Sequence, residues 1–156
     1  MNSVVRPEEK DMDAGPEVLG EAFLKLEPTS AAQARGYISS WIGGDHPAYE
    51  NVVLATSELV TNAIVHSSRG RPHDLILLTL TRMADLLHLE VLDPGGTAWE
   101  PRPPEAVPDD GERGRGLAIV GEISRRRWGV HDHGPLGRTV WCDVDGTPAP
   151  AERPCG

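Results

Sequence analysis

The chain has 156 residues and a formal net charge of -9 at pH 7, from 15 basic and 24 acidic side chains. This length suits one domain with a single core, and the acidic balance disfavours nonspecific binding to nucleic acid or to an anionic membrane. The first 20 residues are polar, no run of about 18 apolar residues occurs, and the two cysteines form no disulfide framework, so a cytoplasmic protein is expected.

The two ends of the chain are expected to be flexible tails around one folded domain. Residues 1–18 and 147–156 lack apolar periodicity, so the domain is predicted at 19–146. Its first element is a strand, because the segment EAFLKLEP, residues 21–28, alternates weakly and closes on a proline. Such a strand is typical of a sheet edge.

Two helices are predicted next along the chain. Thr29 or Ser30 can cap the first helix, and Gly43-Gly44 can end it. The second helix is predicted from about Pro47 to His66 by its apolar periodicity. Its apolar face comprises Val52, Ala55, Leu59, Val60, Ala63 and Ile64.

The second helix also carries two polar residues beside its apolar face. Glu58 and Asn62 are four residues apart, so their side chains share one flank of the helix. An amide oxygen can ligate Mg²⁺, and a carboxylate one turn away can deprotonate a hydroxyl that attacks a terminal phosphate. The alternative is that both are solvated residues at the border of an amphipathic helix.

The middle of the chain predicts a hairpin that ends at Asp93. Residues 74–93 contain two apolar runs split at 83–85, as in a hairpin of two largely buried strands. A carboxylate at the end of a strand can accept the exocyclic amino group of adenine, whereas the guanine carbonyl would be repelled. Gly95 leaves room for the base. The alternative is a plain turn, because Asp-Pro-Gly-Gly is a favourable turn sequence.

A long loop and a glycine-rich helix start are predicted after this turn. Residues 97–113 are rich in proline and acids, which is typical of a functional loop. Gly111, Gly114 and Gly116 then precede a helix whose unpaired first amides can bind phosphate, and Arg113 and Arg115 can add positive charge. The spacing fits neither a Rossmann fingerprint nor a P-loop. The alternative is a glycine-rich hinge.

The C-terminal part predicts a final hairpin around residues 133–137. His131 and His133 alternate as metal ligands can, but surface residues are the favoured interpretation, since no Cys or carboxylate trio completes a site. The whole order is strand, helix, helix, strand, strand, loop, helix, strand, strand. It predicts an α+β two-layer sandwich, with a mainly antiparallel mixed sheet and helices on one face.

Three motifs occur in one order along the chain: Glu-x-x-x-Asn on a helix, Asp-x-Gly after a strand, and Gly-x-Gly at the start of another helix. This series resembles the GHKL, or Bergerat, ATP-binding fold. Together with the closing GRTVWCDV, it is most similar to the small single-domain anti-sigma factor serine kinases and to short actinobacterial ATP-binding regulators. The resemblance covers about residues 21–144.

The resemblance implies a role for each matched residue. Glu58 would be the general base and Asn62 the Mg²⁺ ligand. Asp93 would accept the amino group of adenine, with Gly95 beside it. The further nucleotide-binding positions that it implies are Arg113, Gly114, Arg115, Gly116, Leu117 and Thr139.

The resemblance also implies cofactors and partners. The protein would bind ATP and Mg²⁺, phosphorylate a STAS-domain antagonist protein on Ser or Thr, and sequester a sigma factor. No direct contact with nucleic acid or membrane is implied, and a homodimer is an expectation of the resemblance. The chain length leaves no room for the dimerisation hairpin or transducer domain of larger relatives. The alternative from another class is a noncatalytic ATP-sensing module that regulates a protein partner.

Overall fold

The computed structural model describes residues 15–66, 74–95 and 112–147. Predictions for residues 1–14, 67–73, 96–111 and 148–156 lie outside this description, as do the side chains of residues 112–115. The helices and strands are β1 (Glu17–Lys25), α1 (Ser30–Ile42), α2 (Tyr49–His66), β2 (Leu75–Met83), β3 (Leu86–Asp93), α3 (Glu112–Ile123), β4 (Trp128–Asp132) and β5 (Arg138–Asp145), and a short 3₁₀ helix (Gly134–Leu136) connects β4 to β5.

The five strands form one sheet in the order β1-β2-β3-β5-β4. α1 packs on β1, α2 packs on β3 and β5, and α3 packs on α2. The predicted α+β sandwich and the edge position of β1 are therefore confirmed. All four pairings between these strands are antiparallel, so the part of the chain that the structure describes contains no parallel pair that would make the sheet mixed.

The strands are buried mainly on the face that carries the helices. β3 alternates strictly between buried and half-buried positions, and its buried members face the helices. The prediction of two largely buried strands is therefore wrong for the outer face, where Leu75 keeps 44% of its surface exposed and Leu77 is half-buried. This hairpin therefore has more apolar residues than are needed to fill its single buried face. Each fully buried leucine on the inner face contributes about 1.5 to 3 kcal/mol by leaving water.

The first helix begins and ends for different physical reasons. Thr29 occupies the cap position as predicted, but its side chain makes no cap hydrogen bond. The hydroxyl of Ser30 instead donates to the carbonyl of Lys25 at 2.7 Å, which ties the helix start to the end of β1. At the other end Gly43 has φ 80°, and its N–H donates to Ser39 O at 2.9 Å. The predicted glycine stop is therefore confirmed.

The second helix is the element that the sequence describes best. It begins at Tyr49, two residues after the predicted start, and it ends at His66 as predicted. Of the predicted apolar face, Ile64 is half-buried and the other members are buried. No described helix has the length and apolar character needed to cross a membrane.

The outer face of the sheet carries a cross-strand cluster that no motif predicts. His88 Nδ1 lies 2.6 Å from Asp143 Oδ1, and its Nε2 lies 2.8 Å from Glu90 Oε1. Burial lowers the pKa of His88, but the hydrogen bonds and charges of the two carboxylates outweigh burial and raise that pKa above its ordinary value. On the inner face Cys142 is fully buried, and burial, with the nearby charge of Asp143, raises its pKa to about 12.

Candidate functional site

Glu58 and Asn62 lie on the flank of α2, at the edge of the core. Asn62 is 8% exposed, and its amide nitrogen Nδ2 has no hydrogen-bond partner among the described residues. A buried amide without a partner costs free energy unless a ligand or water satisfies it. Asn62 is therefore a buried residue rather than a solvated border residue, and its role in ligand binding stays a prediction.

Glu58 faces the third helix at a glycine. A Cβ added to Gly116 would lie 2.6 Å from Glu58 Oε2, so the absence of a side chain at this position makes room for the carboxylate. Burial raises the pKa of Glu58 above its ordinary value. Two motifs that are 58 positions apart in the sequence thus meet at one carboxylate.

The third helix begins earlier than the sequence pattern predicts. It starts at Glu112, so Gly114 and Gly116 lie inside the helix, and the prediction that they precede it is wrong. Glycine costs about 1 kcal/mol in a helix interior, which favoured a later start. Packing of Leu117 and Val120 in the core offsets this cost.

This earlier start changes what the glycines can do. The first four amides of a helix have no partner within it, and the Gly114 amide is among them. Gly116 is the fifth residue of the helix, so the helix supplies a carbonyl partner for its amide. Gly116 therefore serves as the point of close approach for Glu58. The side chains of Arg113 and Arg115 lie outside the described part.

Asp93 ends β3 with a buried carboxylate. It is 2% exposed, and its Oδ1 accepts the N–H of Gly95 at 2.6 Å. Gly95 has φ 69°, a left-handed conformation that favours glycine. A Cβ on Gly95 would lie 3.4 Å from the Cα of Gly137, so the turn also packs closely against the β4–β5 hairpin. The left-handed Gly95 agrees with the predicted turn, and the approach of a base past Gly95 stays a prediction.

A buried arginine, which sequence reasoning missed, lies beside this carboxylate. Arg138 pairs with Asp93 in the register of β3 and β5, and its Nη2 lies 3.5 Å from Asp93 Oδ1. The two side chains are only 5% and 1% exposed. The alternation of β5 could have predicted that Arg138 faces inward, because Arg138 shares that face with Val140 and Cys142.

The same alternation places Thr139 on the outer face of the sheet. Its Oγ1 lies 2.9 Å from His133 Nε2, and Thr139 pairs with Leu92 and with His131 in the strand register. The structure thus brings Arg138, and not Thr139, to Asp93. Among residues 15–66, 74–95 and 112–147, no group of three His, Cys, Asp or Glu side chains is placed to hold a metal ion.

The candidate side chains lie in two places, on the inward face of the sheet and on the helices α2 and α3. Asp93 and Arg138 are on the inward face of β3 and β5, on which α2 packs. Glu58 and Asn62 are on α2, and Gly116 is on α3, which packs on α2. The sheet thus contributes a buried carboxylate at the end of a strand, and the helices contribute a second carboxylate and an amide.

A family model described as "Histidine kinase-like ATPase domain" matches residues 24–142. No curated protein matches the chain. The match confirms the resemblance to the GHKL ATP-binding fold, and it implies that the domain binds ATP. The amide oxygen of Asn62 is of the ligand type that Mg²⁺ takes, whereas its buried Nδ2 without a partner is a donor and could only bind an acceptor atom of a ligand or water.

Proposed function

We propose a function for a chain that belongs to the histidine kinase-like ATPase family, as its match over residues 24–142 shows. The protein is a regulatory serine/threonine protein kinase of the anti-sigma factor type. It transfers the terminal phosphoryl group of Mg-ATP to a Ser or Thr hydroxyl of a STAS-domain antagonist, and it sequesters a sigma factor. The nucleotide determines which of the two partners is bound.

One observation carries the kinase part of this proposal. Glu58 is half-buried, its pKa is raised by burial, and its carboxylate lies against Gly116 of α3. A general base works best when its pKa lies closer to the working pH than that of an ordinary carboxylate. The first amides of α3, which suit an anion, belong to the turn just before this glycine. Base and phosphate site are therefore expected to lie side by side.

The proposed step transfers one phosphoryl group and one proton. Glu58 accepts the proton of the acceptor hydroxyl while the hydroxyl oxygen bonds to the terminal phosphorus of ATP. The bond from that phosphorus to its bridging oxygen breaks, and ADP leaves. Asn62 would hold Mg²⁺ through its amide oxygen, and the ion would neutralise charge on the phosphates.

The other end of the nucleotide is assigned to Asp93. Its buried carboxylate can accept the adenine amino group, and the left-handed Gly95 leaves the approach to it free of a side chain. This assignment makes ATP the preferred nucleotide, because the carbonyl oxygen of guanine would face a carboxylate.

Phosphoryl transfer tests the proposal directly. Purified wild-type protein is incubated with Mg²⁺ and ATP labelled on its terminal phosphate, together with STAS-domain proteins and sigma factors from the same genome. We expect one STAS protein to be labelled on Ser or Thr, and Glu58→Gln to lower the rate by about 100-fold or more. Glu50→Gln, at an exposed position in the first turn of the same helix, is the matched control and should retain the rate.

The assay distinguishes the kinase from the alternative. No labelling of any STAS protein, with ATP intact after long incubation, would contradict the kinase and favour a noncatalytic ATP-sensing module. Regulation of a sigma factor that is equal in wild type and in Glu58→Gln would support the same alternative. Pull-down of the sigma factors in the presence of ATP and of ADP tests sequestration separately.

A further inference from the structure

The buried pair of Asp93 and Arg138 points to a residue that sets base selectivity. We propose that Arg138 is a positioning residue, which keeps the Asp93 carboxylate an acceptor only and so restricts the site to purines that carry an exocyclic amino group at that position. This inference rests on the proposed function only in that it requires a nucleotide site at Asp93.

The geometry fixes Arg138 beside the carboxylate. The two residues are directly paired across β3 and β5, and the preceding Gly137 has φ 112°. A Cβ at Gly137 would overlap the carbonyl oxygen of Asp93, so the hairpin backbone approaches the end of β3 as closely as it can. Arg138 Nη2 then lies 3.5 Å from Asp93 Oδ1. Backbone packing therefore fixes the point from which the Arg138 side chain extends.

The buried carboxylate of Asp93 needs a partner of opposite charge to stay ionised. A carboxylate that is 2% exposed is strongly penalised in its charged form unless a partner compensates. A guanidinium stays charged at all ordinary pH values, so it stabilises the carboxylate form permanently. The separation of 3.5 Å is longer than a tight charge-assisted hydrogen bond. Arg138 therefore compensates the charge of Asp93 through a loose contact.

The charge of Asp93 determines which base it accepts. An ionised carboxylate only accepts hydrogen bonds, whereas a protonated one can also donate. The amino group of adenine donates, and the carbonyl of guanine accepts. Without Arg138 the protonated form of Asp93 becomes accessible at higher pH, and that form can donate to guanine. Arg138 thus links nucleotide selectivity to the protonation state of one buried group.

Among the described residues, Asp132 of β4 is directly paired with Arg138, and further titratable groups lie on α2 and β5. α2, which packs on β3 and β5, carries Glu58 and His66 in its C-terminal half. On β5 the charged residues that follow are Asp143 and Asp145, and Asp143 contacts His88 on the outer face. The pH arm of the test therefore includes His66→Gln, which controls for titration of that histidine.

The test compares the affinities for ATP and GTP, measured by calorimetry with Mg²⁺ at pH 6 and pH 8. Wild type should prefer ATP at both values. Arg138→Gln should lose at least about tenfold of this preference at pH 6 and recover part of it at pH 8. Arg138→Lys keeps a positive charge and should restore most of the preference. Arg82→Gln, which removes an exposed arginine paired with Glu17, is the matched control and should behave as wild type.

The results distinguish a failure of the proposed function from a failure of the role of Arg138. Wild type that binds no Mg-ATP contradicts the proposed function itself. Wild type that binds ATP selectively, together with an Arg138→Gln variant of unchanged selectivity at both pH values, overturns the role of Arg138 alone. Should Arg138→Gln fail to fold, the ¹³C shift of the Asp93 carboxyl is followed in wild type. It should stay in the ionised form from pH 8 to pH 5, and titration within that range overturns the inference.

Discussion

Replacement of Asp93 by Asn is the sharpest test of the nucleotide site. The change is nearly isosteric, and the Asn oxygen can still accept the N–H of Gly95, which Asp93 Oδ1 binds at 2.6 Å. It removes the negative charge and turns one acceptor atom into a donor. The amino group of adenine then faces either a neutral acceptor or a repelling donor. We therefore expect the affinity for ATP to fall while the turn is retained.

The magnitude follows from the hydrogen bonds that change. A hydrogen bond to a charged group contributes about 1.5 to 3 kcal/mol, so its loss lowers ATP affinity by about 10- to 100-fold. The same substitution removes the carboxylate beside Arg138, which is buried. Breaking a buried ion pair costs about 3 to 5 kcal/mol, and the 3.5 Å separation of this pair favours the lower end. A fall in thermal midpoint of roughly 10 °C should accompany the loss of binding.

Calorimetry with Mg-ATP and a thermal melt measure the two effects side by side. Asp143→Asn makes the same chemical change on the outer face of the sheet, where Asp143 contacts His88, and it should leave ATP affinity unchanged. An Asp93→Asn variant that binds ATP within about twofold of wild type would refute the adenine assignment, since so small a change is only about 0.4 kcal/mol.

Three further predictions concern rate, backbone and pH. Gly116→Ala places a methyl group 2.6 Å from Glu58 Oε2, so phosphoryl transfer should slow by about tenfold or more while ATP affinity changes little. A variant that transfers the phosphoryl group as fast as wild type would contradict the contact. Gly137 has φ 112° and lies against a backbone carbonyl, so Gly137→Ala should lower the free energy of unfolding, measured in urea, by about 2 to 3 kcal/mol. Gly134 has φ 63° and open space around it, so Gly134→Ala should lower that free energy by only about 1 kcal/mol. Because the pKa of His88 is raised on folding, its stabilisation is complete below the ordinary pKa and is lost as pH rises through the raised pKa. Urea midpoints from pH 6 upward should show this loss in wild type and not in His88→Gln.

The helices and strands were largely predictable because their patterns are local. The apolar face of α2 alone specified its orientation, and the polar pair Glu58 and Asn62 followed from the same wheel. Gly95 was predictable as well, since its left-handed φ of 69° is a property of one turn. In each case the deciding interaction lies within a few residues of the chain.

The features that were missed depend on pairing between distant segments. Arg138 contacts Asp93 only because β3 and β5 are neighbours in one register. A shift of one residue would have put Thr139 there instead, because side chains alternate between the two faces of a strand. The early start of α3 was missed for a related reason, since packing on α2 outweighs the low helix propensity of its two glycines.

The buried thiol of Cys142 can report how often the sheet opens under native conditions. The thiol lies at the centre of β5 with no exposed surface, and its pKa of about 12 leaves almost no thiolate at neutral pH. In a Cys155→Ser background it is the only thiol of the chain. A thiol-specific dye added in excess would then react only with molecules whose sheet has parted, so the labelling rate reads the frequency of that event under native conditions. A nucleotide that stabilises the packing of α2 on β3 and β5 should slow the labelling of Cys142. The decrease in rate should be proportional to the fraction of molecules with nucleotide bound.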